Sequence, residues 1–177
     1  MTYIDTLLRR NEQFAGHGFD PHLRMMPSSK ALIVGCVDPR VDPMHIFKLE
    51  PGEAAIFRNV GGRVTPALIE TLAILREVKH AAGGANGSKS HLIVLHHTDC
   101  GIKHGHQHAP ELVARHLNVA PEDLDAQAVT DPYKSVALDV AALRANPEVR
   151  DDYTVSGLVY DVATGRVETV VSPVPLR

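Results

Sequence analysis

"HLIVLHHTDCG", His91 to Gly101, is the stretch on which the fold turns. Four aliphatic residues, Leu92 to Leu95, run directly into two histidines, a threonine, an aspartate and a cysteine. A short apolar run with β-branched residues reads as a strand buried on both faces, as in parallel sheets. In open parallel sheets ligands gather beyond the carboxyl ends of the strands, where loops converge without disturbing the core. The chain has only two cysteines, and one of them stands at such an end.

Working outward, "ALIVGCV" (31–37) is a second such run, bounded by "PSSK" and "DPRVDP", and "AAIFRNVGG" (54–62) is a third, ending in a glycine pair. Thr65 then stands as a helix N-cap with Pro66 at the first helical position, and Leu68, Ile69, Leu72, Leu75 and Val78 follow at helical spacing to about Ala82. Tyr3, Ile4, Leu7, Leu8 and Phe14 predict an amphipathic N-terminal helix over 3–15 whose apolar stripe needs a partner. "GGANGSKS" (83–90) reads as a loop. It lacks the order of a phosphate-binding P-loop and leads from helix into strand, which excludes nucleotide binding there. Further helices are expected around 110–118 and from Pro132 to about Ala145. The closing "TVSGLVYDVATGRVETVV" reads as a hairpin around "ATG". The expected fold is α/β: a mainly parallel central sheet of four strands plus an antiparallel C-terminal edge strand, helices on both faces, and a projecting N-terminal helix.

At 177 residues and 44% hydrophobic content the chain can bury one core, so residues 1–177 are expected to form a single domain. A formal net charge of -3 and the lack of a Lys/Arg block argue against nucleic acid as a partner. The N-terminus has no long apolar segment, and nowhere do 18 apolar residues run together. Neither a signal peptide nor a membrane span is expected, and the expected location is cytoplasmic. In that compartment two cysteines are thiols or metal ligands rather than a disulfide.

The chemistry collects at two strand ends. One carries Cys36, Asp38 and Arg40; the other carries His96, His97, Thr98, Asp99 and Cys100. Two thiolates and one imidazole are a zinc ligand set that leaves a fourth position for water, as catalytic sites do. Taken singly, each residue has a plainer reading: a buried Cys is a small core residue, and an Asp-x-Arg is an ion pair. Their joint placement at neighbouring strand ends favours a site.

The paired motifs C-x-D-x-R (Cys36, Asp38, Arg40) and H-x-x-C-G (His97, Cys100, Gly101), with "RNVGG" between them and "VYDVATG" near the end, resemble the β-class carbonic anhydrases, closest to the short bacterial and fungal branch. The resemblance implies a zinc enzyme with Cys36, His97 and Cys100 as ligands and an Asp38–Arg40 dyad beside an open coordination site. It implies hydration of carbon dioxide to bicarbonate by a zinc-bound hydroxide, or hydrolysis of carbonyl sulfide or carbon disulfide by the same apparatus. It also implies a homodimer or dimer of dimers, with residues 1–25 as a dimerising arm. In some members the equivalent of Asp38 closes onto zinc as a fourth ligand at low pH.

Asp38 would accept a hydrogen bond from the nucleophile, and Arg40 would hold the carboxylate in a fork. Gly61 and Gly62 would let substrate approach, or form a turn that merely needs glycine. Pro39 would stiffen the dyad loop. His96 would pack or hydrogen-bond beside the site, and Thr98 and Asp99 would orient the ligands. "KHGHQH", with His104, His106 and His108, reads as a solvated polar loop, with a proton shuttle or a second metal site as the sharper alternatives. A non-catalytic zinc or thiol sensor is the competing function, though a sensor has no evident use for the dyad.

Overall fold

The computed structural model describes residues 1–82 and 89–173. Most of the "GGANGSKS" loop reading therefore lies outside the described residues. The elements run α1 (Tyr3–His17), β1 (Ala31–Cys36), α2 (Pro43–Ile46), β2 (Ala54–Asn59), α3 (Pro66–Ala81), β3 (Ser90–His97), α4 (Ile102–His108), α5 (Pro110–Leu117), α6 (Pro132–Ala145), α7 (Pro147–Arg150), β4 (Tyr153–Asp161) and β5 (Arg166–Val171). Short 3-10 turns lie between them, two of which, Pro39–Val41 and Val60–Gly62, border the site.

The sheet order is β2-β1-β3-β4-β5. The first four strands pair in parallel and β5 returns antiparallel on β4. This is the expected architecture. Its local causes are legible: Thr65 accepts from the Leu68 amide with Pro66 at the first helical position of α3, and Asp131 accepts from the Tyr133 and Lys134 amides to start α6.

Alternation along the strands sends Leu32, Val34, Leu92, Val94, Val155 and Val159 to one face. There Leu68 and Leu72 of α3, Val136, Val140 and Leu143 of α6, and Val149 of α7 bury them in one cluster. On the other face α2 lies against β1, its Pro43 ring facing Gly35. β4 alternates buried and half-exposed residues, so the face bearing Ser156, Leu158 and Tyr160 is only partly covered. A smaller cluster of Ile102, Val113, Ala114, Leu117, Leu124 and Val129 packs beside Cys100 and seats α4 and α5 at the carboxyl end of β3.

One element departs from expectation. "KHGHQH" is not a loop but most of helix α4. Its single buried residue, Ile102, gives no apolar stripe, and Gly105, a poor helix former, sits mid-element. That glycine is used for close packing: a Cβ there would stand 3.1 Å from Val113 Cγ2.

Candidate metal centre

β1 and β3 are hydrogen-bonded neighbours, and Gly35 pairs in register with Leu95. Their carboxyl ends therefore deliver Cys36 and His97 side by side, and the turn after β3 brings Cys100 across. Asp99 makes that turn in the left-handed region at φ 53°, a conformation aspartate tolerates better than most residues. The two sulfurs stand 3.8 Å apart, and the Sγ and imidazole atoms of Cys36, His97 and Cys100 all lie within 4.8 Å of one another. Two sulfurs each about 2.3 Å from a tetrahedral zinc would stand roughly 3.8 Å apart.

His97 carries the clearest sign of an ion. Its Nδ1 lies 2.9 Å from the Thr98 carbonyl oxygen, which can only accept, so Nδ1 holds the proton. Nε2 then presents a lone pair, and it is buried with no hydrogen-bond partner among the described residues. An orphaned acceptor costs free energy in a closed interior unless something fills the place. The three residues thus fit a metal ion of the soft, N/S-liganded kind.

The thiols share the same logic. The hydrogen bond with Cys100 pulls the Cys36 thiol far below its ordinary range, while burial opposes this. Cys100 is driven upward by its bond to the Cys36 thiolate and by burial.

Beside the sulfurs lies the expected dyad. Arg40 Nε donates to both Asp38 oxygens at 3.1 and 3.2 Å, and Nη2 donates to Oδ2 at 2.7 Å. Asp38 Oδ1 also accepts from the Arg40 amide at 2.9 Å, and Pro39 opens the short turn between them. The Arg40 hydrogen bonds hold the Asp38 carboxyl down to about 2. Arg40 reaches further, to the Asp99 carboxylate at 3.2 Å and its carbonyl at 3.0 Å, so one guanidinium ties the two strand-end loops together. Asp99 also pairs with Lys103.

Gly61 and Gly62 both have positive φ, 81° and 65°. A Cβ on Gly62 would come within 3.0 Å of the Cys36 amide nitrogen, and one on Gly61 within 2.7 Å of Ile102 Cδ1. Positive φ at both positions and the backbone packed against Gly62 account for the glycines. Thr98 orients His97 through its carbonyl rather than its hydroxyl. The hydroxyl instead accepts from the Val162 amide at 3.0 Å and donates to Asp161 at 3.2 Å, fastening the β4–β5 hairpin to the loop. Asp99 serves Arg40 rather than a sulfur or imidazole. His96 turns away from the centre: its Nδ1 is 2.8 Å from Ser135 Oγ. Of the α4 histidines, His106 contacts Asp125 at 3.2 Å, and no second group able to hold a metal occurs among the described residues.

Sequence reasoning missed three residues of "FRNVGGR". Arg58 donates to the carbonyls of Cys36 and Asp38, both at 2.7 Å. Asn59 closes the glycine turn, accepting from the Arg63 amide and donating to its carbonyl. Arg63 is buried against Asp139. The available signal was an arginine inside a run that otherwise reads as core, since arginine is rarely buried without a partner.

The parallel sheet with an N/S site at its carboxyl edge defines a class, and the comparisons with known proteins give it a family. Residues 31–167 match the carbonic anhydrase family. The chain is 31% identical over 171 residues to beta-carbonic anhydrase 1 of Mycobacterium tuberculosis, covering 96% of this chain and 99% of that one. Its fold matches the crystal structure of carbonic anhydrase from Streptococcus mutans with a TM-score of 0.72 at 34% identity, covering 96% and 98% of the two chains. It is also 26% identical over 190 aligned positions to the carbon disulfide hydrolase of Acidianus sp. strain A1-3, covering 93% and 87%. The chain belongs to the β-carbonic anhydrase family.

Proposed function

We propose that the protein is a zinc enzyme that catalyses the reversible hydration of carbon dioxide, CO2 + H2O giving HCO3− and H+, with Cys36, His97 and Cys100 holding the metal. The observation that carries this reading is the convergence of two sulfurs and an unpartnered, buried His97 Nε2 beside the Asp38–Arg40 fork. Zinc held there supplies Lewis-acid activation of water for attack on an electrophilic carbon.

The chain's own residues do the rest. Asp38, ionised throughout the working pH range, accepts a hydrogen bond from the attacking water and turns its lone pair toward substrate. Arg40 fixes that carboxylate in one plane. The Thr98 carbonyl sets the His97 tautomer. The Asp38 amide, 3.5 Å from Cys36 Sγ, stabilises the thiolate.

Likeness to a carbon disulfide hydrolase over most of both chains supports a second substrate reading, hydrolysis of carbonyl sulfide or carbon disulfide by the same residues. The test is zinc content of the purified protein followed by parallel assays of CO2 hydration and of sulfide release from both sulfur compounds at mildly alkaline pH. Near-stoichiometric zinc with fast hydration and little sulfide is expected. Efficient sulfide release with slow hydration would replace the substrate, and a zinc-free protein would remove the reading.

The assembly we propose is a homodimer or a dimer of dimers, with residues 1–25 as the arm on an otherwise single domain. α1 buries none of its residues, leaving Tyr3, Ile4, Leu7, Leu8 and Phe14 in solvent. Val37 and Val60, next to the site residues, are also exposed. Apolar surface of this extent argues for a covering partner, and a second copy also suits the half-covered face of β4. Deleting residues 1–25 is expected to convert the assembly to monomers in sedimentation equilibrium. An unchanged mass would overturn the arm's role. No helix among the described residues is long and apolar enough to cross a membrane.

A further inference from the structure

The buried stripe of α6 contains Ser135, Val136, Asp139, Val140 and Leu143, so an aspartate occupies a core position. Asp139 is 5% exposed and its partner Arg63 is 2% exposed. Arg63 Nε donates to Oδ2 at 2.8 Å and Nη2 donates to Oδ1 at 3.1 Å, while the Val64 amide donates to Oδ2 at 3.0 Å. His96 Nε2 stands 3.2 Å from the same oxygen. Burial alone would push this carboxyl up; the contacts from His96 and Arg63 more than reverse it.

A buried ion pair is weak ground for claiming stability, because desolvation offsets most of the attraction. What this one does is geometric. Arg63 and Val64 directly follow the Gly61–Gly62 turn, and His96 directly precedes His97. One carboxylate therefore hydrogen-bonds the segment that follows the glycine turn and lies against the residue that precedes His97, so both pack on the same helix. The Asn59 side chain holds the turn from inside, between 2.8 and 2.9 Å from the Arg63 backbone. Gly62 in turn lies against the backbone of Gly35, Cys36 and Leu95 with no room for a side chain. A shift of Arg63 thus reaches Gly62, and through it the backbone of Cys36.

We propose that Asp139 is a positioning residue of the metal centre, acting through Arg63 and Val64 to set the turn that packs Gly62 against the Cys36 backbone, and through its contact with His96 to set the end of β3. This rests on the zinc reading above. Outer partners of metal ligands typically change affinity by about 10- to 100-fold when lost, and a residue one link further out is expected at about tenfold.

The experiment compares full-length wild type, Asp139→Asn, and the paired Arg63→Met/Asp139→Leu variant. Readouts are far-ultraviolet circular dichroism, zinc affinity by chelator competition, and the thiolate-to-cobalt charge-transfer band after loading with cobalt(II). The paired variant is expected to fold, because replacing both members of a buried pair with apolar residues is often neutral. It should nevertheless bind zinc about tenfold more weakly with a shifted cobalt band. Asp139→Asn, which leaves Arg63 buried without its counter-charge, is expected to lose both stability and affinity. A folded paired variant with wild-type zinc affinity and cobalt band overturns the assignment while leaving the zinc reading intact. Failure of both variants to fold even with zinc also overturns it, since the pair would then serve the core and not the centre. Wild type that takes up no zinc removes the zinc reading and the assignment together.

Discussion

Cys100→Ser is expected to purify as a folded protein with little zinc and with CO2 hydration near the uncatalysed rate. A serine hydroxyl stays protonated near neutral pH and is a harder, weaker donor than a thiolate, so the set falls to one sulfur and one imidazole. The affinity loss should exceed the roughly 100-fold that removal of an outer partner costs. Folding should persist, because the main cluster around Val34, Val94 and Val140 lies in the sheet interior and does not include Cys100. Zinc by elemental analysis after exhaustive dialysis, alongside stopped-flow hydration, reads the result. A variant that kept stoichiometric zinc and wild-type turnover would show that Cys100 is only a packed thiol.

Arg40→Ala should separate catalysis from metal binding: zinc content unchanged, and kcat/KM down by about 10²- to 10³-fold, the usual effect of losing one oriented electrostatic group. The pH dependence carries the sign. Asp38 has its folded pKa depressed to about 2, with the Arg40 hydrogen bonds as the largest cause. Its ionised role is therefore present above the ordinary aspartate pKa and lost only as pH falls through the depressed value. Without Arg40 that loss begins at higher pH, and the acid limb of the kcat/KM profile should move upward. Arg40→Lys should recover little, since an ammonium cannot reproduce a fork that grips both oxygens of Asp38 and reaches Asp99 as well. Zinc-replete Arg40→Ala with an unmoved limb and an unchanged rate would remove the dyad from the mechanism.

How much of this could be read beforehand follows from the range of each interaction. The strands were legible because burial on both faces leaves an uninterrupted apolar run. α3 and α6 were legible because Thr65–Pro66 and Asp131–Pro132 set their starts locally. Cys36, Asp38, Arg40, His97 and Cys100 stood out as chemical residues at strand ends, and the structure brings them together. α4 escaped because its helicity depends on packing Ile102 and Gly105 against α5, which no local pattern records. Asp139 and Arg63 escaped because their meaning is pairwise across 76 positions; each alone resembles an ordinary surface charge. Arg58 stood out as an arginine inside an apolar run, but the main-chain carbonyls it acts on have no sequence signature.

The pairing of β1 with β3 has a kinetic side. Cys36 and Cys100 are 64 residues apart, and parallel strands meet only after the intervening crossover, here β2 and α3, has swung over the sheet. No nascent stretch of chain can preassemble the site, so metal capture should be a late event, and rapid thiol alkylation should persist in a refolding chain until the crossover closes. If zinc binds as proposed, free ion at about 1,000 times its dissociation constant would raise stability by at most about 4 kcal/mol, because the cysteines and histidines of the unfolded chain also bind it. Zinc supply would thereby bear on the folded fraction of the chain as well as on its activity.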